Sequence, residues 1–164
     1  CARRIAMTHI SEYATQAIAL SANYLKATPE TALTYACEAI AEQEISVKDL
    51  KSTEIDAWVE EISHREDIDV PSIVVTRKSQ HILATAHSEI HTICIRGANT
   101  NQVTVLHEIA HLIVGVSTHG VVFRDELVRL TRAHISIEFA SFLYSLYQST
   151  GLEMSPWPAS AHQR

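Results

Sequence analysis

Apolar residues recur at helical spacing near the start of the chain. Ile10, Ala14, Ala17, Ile18, Ser21, Tyr24 and Leu25 share one face and predict a helix over residues 11–26. Thr28-Pro29 interrupts that period, and Pro29-Glu30 opens a second predicted helix running to about Glu44. Its inward face is Leu33, Ala36, Cys37 and Ile40. Residues 45–50 fit either a short strand or a helix start. Ser52 is then the predicted N-cap of a third helix, with Glu54 in the first turn. Ile55, Trp58, Val59 and Ile62 form its stripe, which ends near His64.

The period then changes from helical to alternating. Pro71 introduces Ile73-Val74-Val75-Thr76, a β-branched run and the strongest strand signal in the chain. A second strand is predicted over residues 82–86, and a turn around His87-Ser88-Glu89 leads to a third over residues 90–95. In the third, His91, Ile93 and Ile95 alternate with Thr92 and Cys94, and Gly97-Ala98-Asn99 closes it. The three strands are expected to form a small antiparallel sheet. Helical spacing returns from Thr100 or Asn101 to Val114, with Val103, Leu106, Ala110 and Ile113 on the apolar face and Gly115 as the stop. Two more helices are predicted over residues 122–133 and 135–147, followed by an irregular tail after Gly151. Helices, a small antiparallel sheet and more helices make an α+β pattern. No internal repeat or composition break divides the 164 residues, so one domain is expected. Within it, residues 1–45 form a helical extension, 52–130 the core and 151–164 a tail.

Composition narrows the classes. Hydrophobic residues make up 46% and charged residues 20%, the balance of a chain that folds around a core. No apolar run approaches the roughly 20 residues of a membrane span. The first residues lack the apolar stretch of a secretory signal. The chain begins with Cys1, and Met7 is a candidate natural start. The net charge of −6 argues against nucleic-acid binding. Cys1, Cys37 and Cys94 form no CxxC pair, which argues against a disulfide framework and fits a reducing, cytoplasmic compartment.

Histidine is the unusual component, with ten residues. His107-Glu108-Ile109-Ala110-His111 is an HExxH pattern inside the helix predicted to end at Val114. Random placement of ten His and fourteen Glu gives roughly 0.05 such patterns in a chain of this length, so the signal is moderate alone and stronger for its helical setting. Positions i and i+4 stand one turn apart on one face. Two imidazoles can therefore reach one tetrahedral Zn²⁺ at about 2.0–2.1 Å. Glu108 is placed to take a proton from water at the open position.

A catalytic zinc takes three protein ligands. His119 is the first candidate for the third, because Gly115 lets the chain turn back. Asp125 or Glu126 is the rival, with Glu138 further off. A carboxylate that does not bind metal can instead support a ligating histidine. Arg124 could pair with one of these or contact substrate, although an exposed helix arginine is more often a solvated cation. His91 or His87 could donate to a substrate carbonyl or oxyanion. Tyr144 and Tyr147 could do the same, but their helix reads as core. His9, His64, His81, His134 and His162 have no partner spacing and read as surface.

The run Val105-Leu106-His107-Glu108-Ile109-Ala110-His111, followed by His119-Gly120-Val121-Val122-Phe123-Arg124, resembles the minimal zincin metallopeptidases. It is most similar to their SprT-like group, and within it to small metallohydrolases of actinobacteria and their phages. The resemblance covers roughly residues 52–130. It implies one zinc ion held by His107, His111 and His119, Glu108 as general base, and a protein or peptide substrate. It also implies that the strand over residues 90–95 pairs with extended substrate. The Cys-rich ribbon usual in SprT-like proteins is absent. Gly120-Val121 stands where that group often has glycine and proline. Two further readings stay open: a partner-specific regulatory protein of the repressor-cleaving HExxH type, and a module whose metal is purely structural.

Overall fold

The computed structural model describes residues 2–76, 84–97 and 99–157. Parts of the predicted second strand, His81, Ala98, Pro158 and His162 lie outside them, as does Cys1. So do the side chains of Arg3, Arg4, Met7 and His9. The order of elements is α+β, and the chain divides into two compact units. One is made of residues up to Ser46 and from Thr118 onward; the other is Val47–Ser117. Among the described residues no helix is long and apolar enough to cross a membrane.

The first unit is helical. It contains α1 (Ala2–Ser21), α2 (Pro29–Glu44), α5 (Val121–His134) and α6 (Ile137–Ser149). Helix α1 packs on α2 and α6, and α6 packs on α2 and α5. Buried Ala14, Ala17, Ala36 and Ala41 supply small surfaces, while Phe139, Leu143, Leu146 and Tyr147 fill the α6 side of the core. The Tyr13 ring meets Phe142 edge-on at 5.3 Å, and its hydroxyl donates to Glu44 at 2.6 Å.

Helix α2 has the predicted bounds because its start is doubly specified. Thr28 caps it, its hydroxyl accepting from the Thr31 N–H, and Pro29 occupies the first turn. The same signal shortens α1, which ends at Ser21 and not at Lys26. Thr28 must be extended before Pro29, so the chain unwinds through turns in which the N–H groups of Asn23, Tyr24 and Ala27 each donate to the carbonyl three residues earlier. Leu25, predicted to face inward, is 90% exposed as a result. Helix α6 starts two residues later than its period suggests, because the Ser136 hydroxyl accepts from the Phe139 N–H and sets the cap there.

The second unit carries the strands. It contains β1 (Asp49–Lys51), α3 (Ser52–Glu66), β2 (Ser72–Thr76), β3 (Ala84–His87), a 3-10 turn (Ser88–Ile90), β4 (Thr92–Arg96), β5 (Asn99–Asn101) and α4 (Gln102–Val114). Strands β1 and β5 form an antiparallel pair, with Leu50 opposite Thr100. Helix α3 packs on β1 and β2, and α4 on β3 and β5. Ser52 is not the cap of α3. Lys51 holds that position, and its N–H donates to the Glu54 carboxylate at 2.9 Å.

The predicted all-antiparallel sheet is corrected. The order is β2-β4-β3, with β2 parallel to β4 and β3 antiparallel to it. Strand β4 takes the centre of this sheet: its Ile93 and Ile95 are fully buried, whereas Val74 and Val75 of β2 are exposed. A second expectation falls with the first. With β2 and β3 on its two edges, β4 has no edge on which an extended substrate could pair. The strand also starts later than predicted: Ile90 lies in the 3-10 turn and His91 has a left-handed φ of 46°.

Candidate metal centre

Helix α4 is built to hold its histidines firmly. Asn101 caps it, the side-chain oxygen accepting from the Thr104 N–H at 2.9 Å. Gly115 ends it with a φ of +67°. The expected one-sided apolar stripe is in fact wider. Val103 and every residue from Val105 to Ala110 is buried, His107 and Glu108 included. A carboxylate and two imidazoles on a buried helix are costly to desolvate without a role for their polarity.

His107 and His111 come together on this helix as the i, i+4 spacing requires. Their ring centroids are 4.9 Å apart at 72°. His111 is less buried, and its Nδ1 lies 2.8 Å from the Val116 carbonyl oxygen. A carbonyl only accepts, so Nδ1 carries the proton and donates, leaving Nε2 with the lone pair. Burial, and after it neighbouring His107, push the His111 pKa down to about 4, against the partial opposition of the Val116 carbonyl. The ring is therefore neutral at pH 7, the form that ligates metal.

His119 belongs to the helical unit and is also buried. Phe123 of α5 and Tyr35 of α2 meet its ring edge-on, at centroid distances of 4.7 and 4.8 Å. Its Nδ1 lies 3.4 Å from the hydroxyl oxygen of Thr31. That oxygen in turn accepts from the Thr28 hydroxyl at 3.0 Å.

The carboxylates proposed as rival ligands have other partners. Asp125 accepts from the Ser155 N–H at 3.1 Å. Glu126 pairs with Arg129 through two bonds, of 2.8 and 3.0 Å. Glu138 lies exposed in the first turn of α6. Among the described residues, the group that could hold a metal ion is His107, His111 and His119, each offering one ring nitrogen.

Arg124 corrects the expectation of a solvated cation. It is 1% exposed, and its Nη1 donates to the Glu30 carboxylate at 2.7 Å and to the His119 carbonyl oxygen. Its Nη2 donates to the Glu153 carbonyl at 2.9 Å. His91 has its ring 2.7 Å from the Asp69 carbonyl oxygen, and His87 is exposed. Tyr144 donates to the Ser155 carbonyl, and buried Tyr147 donates to Glu38. Both tyrosines serve packing and tail contacts, as their helix suggested.

Sequence reasoning missed the part played by α2. Glu30, Thr31 and Tyr35 reach Arg124 and His119 from a region that carries no motif. The available signal was modest: Thr31 and Tyr35 stand i, i+4 on one helix face. No family model, curated protein or solved structure matches the chain.

Proposed function

We propose that this protein is a mononuclear zinc metallohydrolase, and a peptidase first among hydrolases. The observation that carries the reading is the histidine group: the candidate nitrogens of His107, His111 and His119 all lie within 4.8 Å of one another. Three histidine ring nitrogens are a donor set that suits zinc. The protonated Nδ1 of His111 and the Thr31 hydroxyl beside Nδ1 of His119 are the outer contacts that ligating histidines require. The resemblance of residues 105–124 to the SprT-like zincins supports the same assignment.

A bound zinc ion supplies Lewis acidity, lowering the pKa of water and polarising a carbonyl. The remaining chemistry is the chain's own. Glu108 follows the first histidine on α4 and is buried, so its carboxylate acts from a site of low dielectric. It accepts the proton of the attacking water and returns it to the leaving nitrogen. His107 and His111 hold their geometry because α4 is capped at both ends.

Hydrolysis of an unstructured protein by the zinc-loaded chain, compared with Glu108→Gln, tests the reading. Cleavage lost in the variant, with metal retained, supports it. Equal cleavage in both overturns Glu108 as base. Zinc-dependent folding with no cleavage of a broad substrate panel moves the assignment to a structural metal or to a partner-specific protease.

A further inference from the structure

The first turn of α2 meets Arg124, at the start of α5. Arg124 is almost completely buried, yet two of the three side-chain bonds it makes among the described residues go to backbone carbonyls, of His119 and Glu153. Its Nε is buried without a hydrogen-bond partner. A guanidinium placed only to tie helices together would have its donors better satisfied, since an unsatisfied buried donor costs roughly 1–3 kcal/mol. The carboxylate it meets among the described residues, Glu30, is half exposed and stands in the first turn of α2. From the same turn and the next, Thr31 and Tyr35 contact the His119 ring. One helix thus steadies both the ring and, through Arg124, the backbone of one histidine.

We propose that Arg124 and Glu30 are positioning residues for the metal centre: their ion pair fixes the His119 backbone so that the ring is already in place when metal arrives. The inference rests on the reading of His119 as a ligand. It makes α2 part of the metal site and not merely a helix covering it. Arginine is specific to the task, because Nη1 serves Glu30 and the His119 carbonyl at once while Nη2 holds the Glu153 carbonyl. A lysine keeps the charge but not that fork.

The test is cobalt(II) binding by the full chain, read as affinity by competition and as the visible absorption of the bound ion. Arg124→Lys, Glu30→Gln and His119→Ala are compared with the parent at a temperature where circular dichroism finds each folded. Outer-contact losses of this kind weaken metal binding by about 10–100-fold. That loss is expected in Arg124→Lys and Glu30→Gln, with an altered absorption band, and a larger loss in His119→Ala. A purely structural ion pair would lower the melting temperature of the first two variants and leave affinity and spectrum unchanged, which overturns the proposal. Unchanged cobalt binding in His119→Ala would instead overturn the ligand assignment beneath it. If Arg124→Lys does not fold, Glu30→Gln decides the matter alone, because its altered side chain is half exposed.

Discussion

The Nδ1 of His111 lies 2.8 Å from the carbonyl oxygen of Val116, five residues further along the chain. The contact depends on the turn between them, where Gly115 takes a φ of +67° and its N–H closes on the His111 carbonyl. One turn thereby ends the helix and fixes the tautomer of a candidate ligand.

Gly115→Ala tests that turn. A Cβ there meets nothing within 4 Å, so the substitution acts through backbone strain alone. Left-handed geometry costs a non-glycine residue roughly 1–2 kcal/mol. For a chain of this size each 1 kcal/mol lowers the melting temperature by about 2–4 °C. Thermal denaturation of the metal-free protein should show that decrease, and an unchanged midpoint would mean the turn is not rigid.

Alkaline pH should destabilise the helical unit. Burial pushes the Cys37 thiol up to about 12, and burial with nearby Glu38 pushes the Tyr147 phenol well above its usual range. Both groups stay protonated in the folded chain at pH values where the unfolded chain has lost those protons. The folded state then binds more protons, so stability falls as pH rises. For Cys37 the window runs from about 9 to about 12. Urea midpoints at pH 7.5 and 10 should differ in that direction, and less so in Cys37→Ala. Cys37 should also react slowly with thiol reagents until the chain unfolds.

Thr28 caps α2, and its hydroxyl also donates to Thr31 beside His119. Thr28→Ala should cost about 1 kcal/mol by loss of the cap. Thr28→Ser keeps the hydroxyl and should recover most of it. Chemical denaturation of the pair separates a capping effect from a general loss of packing.

What was legible from sequence was local. Thr28 and Pro29 mark the start of α2, Gly115 marks the end of α4, and the i, i+4 spacing puts His107 and His111 on one face. Ligand preference and the turn that Gly115 permits put His119 ahead of Asp125 and Glu126, and the structure brings its ring nitrogen near those of His107 and His111. Pairings between distant segments were not legible. Strand β5 is three residues long and meets β1 fifty residues earlier, with no alternating pattern to announce it. The parallel pairing of β2 with β4 depends on which strand can be buried on both edges, a property of the assembled sheet. Arg124 read as solvated because a single charge on a helix carries no sign of its burial. Its partners, Glu30 and the carbonyls of His119 and Glu153, become visible only in the fold.

The central claim is that three histidines hold one metal ion. Elemental analysis of the purified, zinc-reconstituted protein, beside His107→Ala, His111→Ala and His119→Ala, tests it most directly. The account predicts about one zinc per chain in the parent and its loss in each variant, since three protein ligands are the usual set for a catalytic zinc. A parent that takes up no zinc, or a His119→Ala protein that keeps its full complement, would contradict it.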